Sequence, residues 1–251
     1  MDLGLTDRVY IVTGGSRGLG RAAAEALVAD GARVVISARD ASAVRAAAAE
    51  LGAGAVGVPA DNADPGTPGR LVAAARDAFG RLDGALVSVG GPAPGPVTEI
   101  SDEQWTAAFA TVFLGAVRLA REVVTGLEPG GSIVFVLSTS VRSPIPGLAV
   151  SNGLRPGLAM VAKTLADEVG PRGIRVNGLL PGRVGTDRVA ELDALTGDPG
   201  GSRARAEATI PLRRYGEPAE FGRVAAFLLS PAASFLSGVM LPVDGGALRT
   251  V

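Results

Sequence analysis

Arg8-Val-Tyr-Ile-Val-Thr13 is a short β-branched run that ends directly on Gly14-Gly-Ser-Arg-Gly-Leu-Gly20, and residues 21–30 continue with Ala and Leu in helical character. Strand, tight turn and helix follow one another without a spacer. The Gly14-x-x-x-Gly18-x-Gly20 pattern removes Cβ atoms where the chain must turn and where backbone N–H groups can come close to a bound anion. A helix starting at that turn adds the positive end of its dipole, which suits a pyrophosphate.

The same alternation runs through the chain. Strands are expected at 8–13, 32–37, 55–59, 83–89, 131–137, 174–180 and 239–243, and helices at 21–30, 41–51, 66–79, 101–127, 154–169 and 217–229. Ser101 and Gln104 have the spacing of a capping box, and Pro242 marks the last strand as an edge. Repeated βαβ order predicts an α/β fold of the Rossmann-type, doubly wound kind. Its mostly parallel seven-stranded sheet carries helices on both faces, and ligands gather at the carboxyl ends of the strands. With 251 residues and no linker, the chain reads as one domain over 1–251. The irregular stretch 181–211 is long for a loop, so 183–211 is expected to be a substrate lid.

Composition narrows the chemistry. There is no Cys and no His, so thiolate nucleophiles, histidine bases and nearly all metal sites fall away, and no metal is expected. Acid-base work must come from Tyr, Ser, Lys, Arg, carboxylates, water or a bound cofactor. A net charge of −1 and no long basic run argue against nucleic acid. No stretch approaches a membrane span and the start of the chain lacks a signal core, so a soluble, cytoplasmic protein without a membrane partner is expected.

Thr13-Gly-Gly-Ser-Arg-Gly-Leu-Gly20 resembles the glycine motif of the classical short-chain dehydrogenase/reductase family, particularly its 3-oxoacyl-carrier-protein reductase branch. Gly173-Ile-Arg-Val-Asn177, Pro181-Gly182 with Thr186, Pro211-Leu-Arg-Arg-Tyr-Gly-Glu-Pro218 and Val243-Asp-Gly-Gly246 match further family segments in order. The resemblance implies a nicotinamide cofactor held by Gly14, Ser16, Arg17, Gly18, Leu19 and Gly20, by Gly90, and by Pro181, Gly182 and Thr186 near the nicotinamide. Asp61 and Asn62 would then meet the adenine, although in sequence terms they could equally be turn residues. After the second strand, Ser37-Ala38-Arg39 lacks the carboxylate that would hold a ribose 2′-hydroxyl. Arg39, helped by Arg17, could instead meet a 2′-phosphate, so NADP is expected in preference to NAD; the plain alternative is an exposed strand-end charge.

The match weakens at the catalytic positions. The family carries Asn, Ser, Tyr and Lys there, the last two as Tyr-x-x-x-Lys one helical turn apart, so that the lysine can lower the tyrosine's pKa and hold the nicotinamide ribose. Ser138 matches the serine, but the tyrosine falls on Ser151, the lysine on Arg155 and the asparagine near Val112, while Ser88-Val-Gly-Gly91 replaces Asn-Asn-Ala-Gly. A serine hydroxyl is shorter and far less acidic than a phenol of pKa about 10. Arg155 could still hold ribose hydroxyls but cannot shuttle protons. Tyr10 and Tyr215 read as packing residues and Lys163 as solvated. Arg142, Arg183 and Arg188, in the loops after the fifth and sixth strands, would suit an anionic or acyl-linked substrate, or are ordinary loop charges.

The resulting expectation is a reductase or dehydrogenase acting on a small-molecule carbonyl or alcohol, 3-oxoacyl-like in one reading, through Ser138, Ser151 and Arg155. A non-redox enzyme on the same scaffold (cyclase, dehydratase or isomerase) and a non-catalytic cofactor-binding protein are the alternatives. The family resemblance also implies a homodimer or homotetramer, and Phe109, Phe113, Val117, Leu119 and Val123 would offer an apolar helix face for it.

Overall fold

The computed structural model describes residues 2–250. Its seven strands are β1 (Val9–Thr13), β2 (Arg33–Ala38), β3 (Ala55–Pro59), β4 (Gly84–Val87), β5 (Ser132–Val136), β6 (Arg175–Pro181) and β7 (Met240–Val243). They form one sheet in the order β3-β2-β1-β4-β5-β6-β7. Every pairing is parallel, with Val12 opposite both Ile36 and Leu86 and with Val134 opposite Asn177. The Rossmann-type expectation holds, and β7 with Pro242 is indeed an edge.

Successive strand residues point to opposite faces, and both faces are buried. Ile11, Ile133 and Phe135 pack beneath α3 (Thr67–Phe79), α5 (Gly115–Thr125) and α6 (Ala149–Val169). Their neighbours Tyr10, Val12, Val134 and Val136 pack beneath α1 (Gly18–Ala29), α2 (Ala41–Leu51) and α9 (Pro218–Leu229). The strand order reverses between β1 and β4, so a crevice opens above their carboxyl ends, flanked by the glycine loop and by residues 88–96.

The helix expected at 101–127 starts on its capping box but is not uniform. α4 (Asp102–Ala108) passes through a π-helical turn, Phe109–Leu114, into α5, which ends at Thr125. The 181–211 stretch is not irregular either: it carries α7 (Asp187–Ala194) and α8 (Pro199–Thr209). Asp193 unites them, accepting from Arg183 Nη1 (3.3 Å), the Ser202 hydroxyl (2.8 Å) and the Tyr215 hydroxyl (3.0 Å). Among the described residues no helix is long and apolar enough to cross a membrane, and no cluster of carboxylates could hold a metal ion.

Candidate active site

β1 delivers the chain into Gly14 and Gly18, both with positive φ (62° and 59°). The Thr13 hydroxyl donates to the Ser88 carbonyl (2.7 Å) and accepts from the Ser88 N–H (2.9 Å), which ties the ends of β1 and β4 together at the crevice. Gly14 lies on that joint, where a Cβ would stand 3.1 Å from the Ser88 oxygen. A Cβ on Gly20 would press into the Gly14 carbonyl, so α1 can start this close to β1 only with glycine there. Gly15, which the spacing pattern passes over, is equally required: its Cβ would sit 2.7 Å from Ile36 Cβ. Ser16 and Leu19 are half-buried in the same turn. Arg17 gives α1 no side-chain cap and the first turn has no acidic residue, so the first amides are left for an anion. These features fit a dinucleotide pyrophosphate.

At the adenosine end β2 stops at Ala38 and Arg39 is exposed. Asp40, the nearest carboxylate, is occupied: its Oδ1 accepts from Ser42 N (2.8 Å), Ala43 N (2.9 Å) and the Ser42 hydroxyl (2.7 Å), capping α2. Those bonds hold its carboxyl below the usual range. Arg17 is exposed, with Nη1 4.0 Å from Asp187 Oδ2 at the start of α7. Asp61 serves its own turn, its carboxylate accepting from Ala63 N (2.9 Å) and its carbonyl from the Thr67 hydroxyl (2.6 Å), while the Asn62 carbonyl packs against Gly115.

Gly90 is exposed, with open space where a side chain would be. Pro181 ends β6 opposite Val243, and Gly182 packs on Asp244. Thr186 stands at the start of α7, yet its hydroxyl makes no cap bond and remains free. Its Cγ2 lies 3.7 Å from the Cβ position of Gly18, so the residue that precedes α7 touches the glycine loop.

At the catalytic end Ser138 follows β5 by two residues, and its Oγ accepts from Ser140 N (3.1 Å), which leaves the Ser138 proton free to donate. Ser140, unremarked in the sequence, is buried, with Oγ 3.2 Å from Ser151 Oγ and 3.4 Å from the Ser151 carbonyl. Ser140 thus holds Ser138 with its backbone N–H and Ser151 with its hydroxyl. Only the fold reveals that link, because nothing in Ser138-Thr-Ser140 marks the second serine. Asn152 holds the preceding loop by bonding both the N–H (3.0 Å) and the carbonyl (2.9 Å) of Ile145.

One turn beyond Ser151 on α6, Arg155 is buried and donates from Nη1 to the Val136 carbonyl and from Nη2 to the Val89 carbonyl (3.3 Å). Its Nε has no partner. Arg175 is also buried, but four carbonyls, of Leu228, Leu229, Ser230 and Leu236, surround its guanidinium at the C-terminal end of α9. Burial pulls the Arg155 pKa down to about 10, so it remains charged near neutrality, with carbonyls and no carboxylate as bonding partners. Val112, where the family asparagine would stand, is buried in the π-helical turn and offers only an apolar surface.

Of the other candidate groups, Tyr10 is buried, its hydroxyl donating to the Leu229 carbonyl (3.3 Å), and burial pushes its pKa up to about 12. The Tyr215 hydroxyl is committed to Asp193, with Arg203 4.9 Å above the ring. Lys163 is exposed. Arg183 is paired with Asp193, and Arg142 donates to the Met240 carbonyl (3.1 Å). Arg188 instead reaches from α7 to the loop after β4, donating to the Pro92 carbonyl (2.7 Å).

The sheet order, the glycine cradle and the position of Ser138 after β5 define a dinucleotide-binding enzyme scaffold. A family model described as enoyl-(acyl carrier protein) reductase matches residues 14–247. The chain is 35% identical over 254 residues to the L-rhamnose 1-dehydrogenase (NAD(P)(+)) of Azotobacter vinelandii, covering 96% of this chain and 97% of that protein. It is 33% identical to the 3-oxoacyl-[acyl-carrier-protein] reductase of Synechocystis over 250 residues, with 96% and 97% covered. The L-sorbose reductase of Gluconobacter frateurii, solved with NADPH and L-sorbose, superimposes with a TM-score of 0.93 at 32% identity over 100% of both chains. The chain belongs to the short-chain dehydrogenase/reductase family, whose members are NAD(P)-dependent oxidoreductases.

Proposed function

We propose that this oxidoreductase reduces a carbonyl group of a small molecule with NADPH, at a site formed by Ser138, Ser151 and Arg155. The observation that carries the reading is the free Ser138 proton, which is available to a carbonyl oxygen while the Oγ is fixed by Ser140 N. When bound, the cofactor supplies the hydride. Gly14, Ser16, Arg17, Gly18, Leu19 and Gly20 would hold its pyrophosphate, with Gly90, Pro181, Gly182 and Thr186 along the nicotinamide half and Asp61 and Asn62 near the adenine. Arg39 is free for a 2′-phosphate, whereas Asp40 is engaged in capping α2 and is not free for a 2′-hydroxyl. That favours NADPH over NADH.

Ser138 polarises the carbonyl oxygen, and the proton comes from Ser151, from water or from the substrate itself, since no phenol serves the site. Arg155 fixes α6 against β5 and the loop after β4 through Val136 and Val89 and meets ribose hydroxyls only by exchanging one of those bonds. Steady consumption of NADPH at 340 nm with a panel of 3-oxoacyl esters, quinones and cyclic ketones is the expected result. Stoichiometric NADPH binding without turnover across that panel would favour a non-redox or purely binding role instead, and product analysis without cofactor consumption separates those two.

Assembly as a homodimer or homotetramer is part of the same proposal. The helix face assigned to it narrows in the structure, because Leu119 and Val123 are buried in the core. Phe109, stacked on Phe113 at 5.2 Å and 45% exposed, and Met160, 66% exposed, remain outside. A solution scattering mass of one chain would refute it.

A further inference from the structure

We infer, on the reading that the dinucleotide lies in the crevice between β1 and β4, that Arg188 latches a bridge across that crevice and that cofactor exchange waits for the latch to open. The floor of the crevice is the Thr13–Ser88 joint. Its two banks are the glycine loop and the loop after β4, and three consecutive residues reach from one to the other. Thr186 Cγ2 lies 3.7 Å from the Cβ position of Gly18, and the Asp187 carboxylate lies 4.0 Å from Arg17 Nη1. The next side chain, Arg188, meets the opposite bank and donates from Nη2 to the Pro92 carbonyl at 2.7 Å. A segment in contact with both banks closes the space between them.

The two fastenings are unequal. The Arg17 and Asp187 side chains are 72% and 74% exposed, and at 4.0 Å such a pair contributes little. Arg188 is half-buried and makes a short, charge-assisted bond. A Cβ on Gly91 would lie 2.6 Å from Arg188 Nε, so this bank leaves room to seat the guanidinium. Glu191, one turn on in α7, stands 3.5 Å from Nη1 and steadies the guanidinium from its own helix. The chain before the bridge is pinned elsewhere: Gly185 N donates to the Gly216 carbonyl (2.8 Å) and Gly216 N to the Arg183 carbonyl (2.9 Å). The chain after it is pinned through Asp193 to Ser202 and Tyr215. Neither attachment involves a bank, so the Arg188 bond is the one that must yield when the crevice opens.

A dinucleotide whose pyrophosphate meets the glycine loop and whose nicotinamide lies toward Ser138 must pass under residues 186–188. Arg188 bonds to protein and not to the ligand, so the latch is available whether the crevice is empty or filled. Releasing it therefore speeds entry and departure alike and leaves their ratio, the affinity, nearly unchanged. A residue that held the cofactor itself would slow departure alone.

Stopped-flow fluorescence of NADPH binding, and of its displacement by excess NADP+, reads the two rates separately. Arg188→Gln should raise both at least about tenfold, the weight of one charge-assisted bond, with Kd within about threefold of the wild type. Gly91→Ala, which displaces the guanidinium from the opposite bank, should shift both rates in the same direction, and Arg188→Lys should fall between. Asp187→Asn, which releases only the weak fastening, should change either rate by less than about twofold. Unchanged rates in both Arg188→Gln and Gly91→Ala, a rise in the dissociation rate alone, or a larger effect in Asp187→Asn than in Arg188→Gln would overturn the latch. Absence of NADPH binding by the wild type would instead refute the cofactor reading itself, and the latch with it.

Discussion

The cofactor end and the catalytic end of the crevice are built from different kinds of constraint. Around Gly14, Gly15 and Gly20 the demand is on the backbone: the turn, the Ile36 side chain and the Gly14 carbonyl leave no volume for a Cβ. At Ser138, Ser151 and Arg155 the backbone keeps its course and the side chains carry everything. The helix carries a π-helical turn at Phe109–Leu114 around Val112, where the family resemblance implies asparagine, and α6 holds Ser151 and Arg155 one turn apart, where it implies tyrosine and lysine. A scaffold can thus preserve its binding geometry while its acid-base chemistry changes, because different atoms enforce the two.

The strongest way to break this contrast is Gly20→Ala. The added methyl presses on the Gly14 carbonyl at the start of α1, and backbone cannot move aside as a flexible side chain can. NADPH affinity should fall at least about a hundredfold and stability by about 2 kcal/mol, read by fluorescence titration and urea unfolding. An unchanged Kd would mean that the cradle is not where the dinucleotide sits.

The catalytic end is sharpened by the reverse experiment. Ser151→Tyr combined with Arg155→Lys restores the family pair on an unchanged helix, and a positioned general acid contributes about 10²-fold or more. With NADPH and a ketone that the wild type reduces, kcat should rise at least about tenfold. A fall in kcat with NADPH binding intact would show that the native Ser151 and Arg155 arrangement is itself the better one.

These two ends were also unequally legible. Periodicity located every strand, since alternate residues serve two buried faces, and it placed the glycine turn between β1 and α1. It started α1 too late because Gly18 and Gly20 are poor helix formers although both lie within the helix. It started α6 too late as well, because Gly153 and Pro156 read as breakers, whereas the helix begins at Ala149 and accommodates both. Helices α7 and α8 escaped because their polar faces are organised by Asp193 with Arg183, Ser202 and Tyr215, contacts between separate segments that no local pattern encodes. Ser140 escaped for the same reason, and the two carbonyls that hold Arg155 become neighbours only when β4 and β5 pair.

A smaller effect tests the cofactor end at its outer edge. Arg39→Ala removes the exposed guanidinium after β2 without touching the glycine loop. It should reduce the preference for NADPH over NADH by about tenfold in kcat/KM, the size of one charge-assisted contact to phosphate. Equal losses with both cofactors would leave Arg39 as a surface charge and return the question of preference to Arg17.

The smallest expected effect is an absence, and it bears on the catalytic end most directly. The chain has no histidine and no cysteine. Burial pushes Tyr10 up to about 12, and Tyr215 is also raised, by burial and by its bond to Asp193. Arg155, although pulled down to about 10, is still protonated at pH 9. A phenol lowered by a neighbouring lysine would ionise within the neutral-to-alkaline range and impress its pKa on the rate, but a serine hydroxyl beside a permanently charged guanidinium has no proton to lose there. With saturating NADPH and a substrate that does not itself titrate, kcat should therefore vary by less than about twofold between about pH 6 and about pH 9. The Ser151→Tyr, Arg155→Lys variant should acquire a titration in that interval. A wild-type profile that already shows one would identify a proton donor other than Ser138 or Ser151, and the two ends of the crevice would then be less different than their side chains imply.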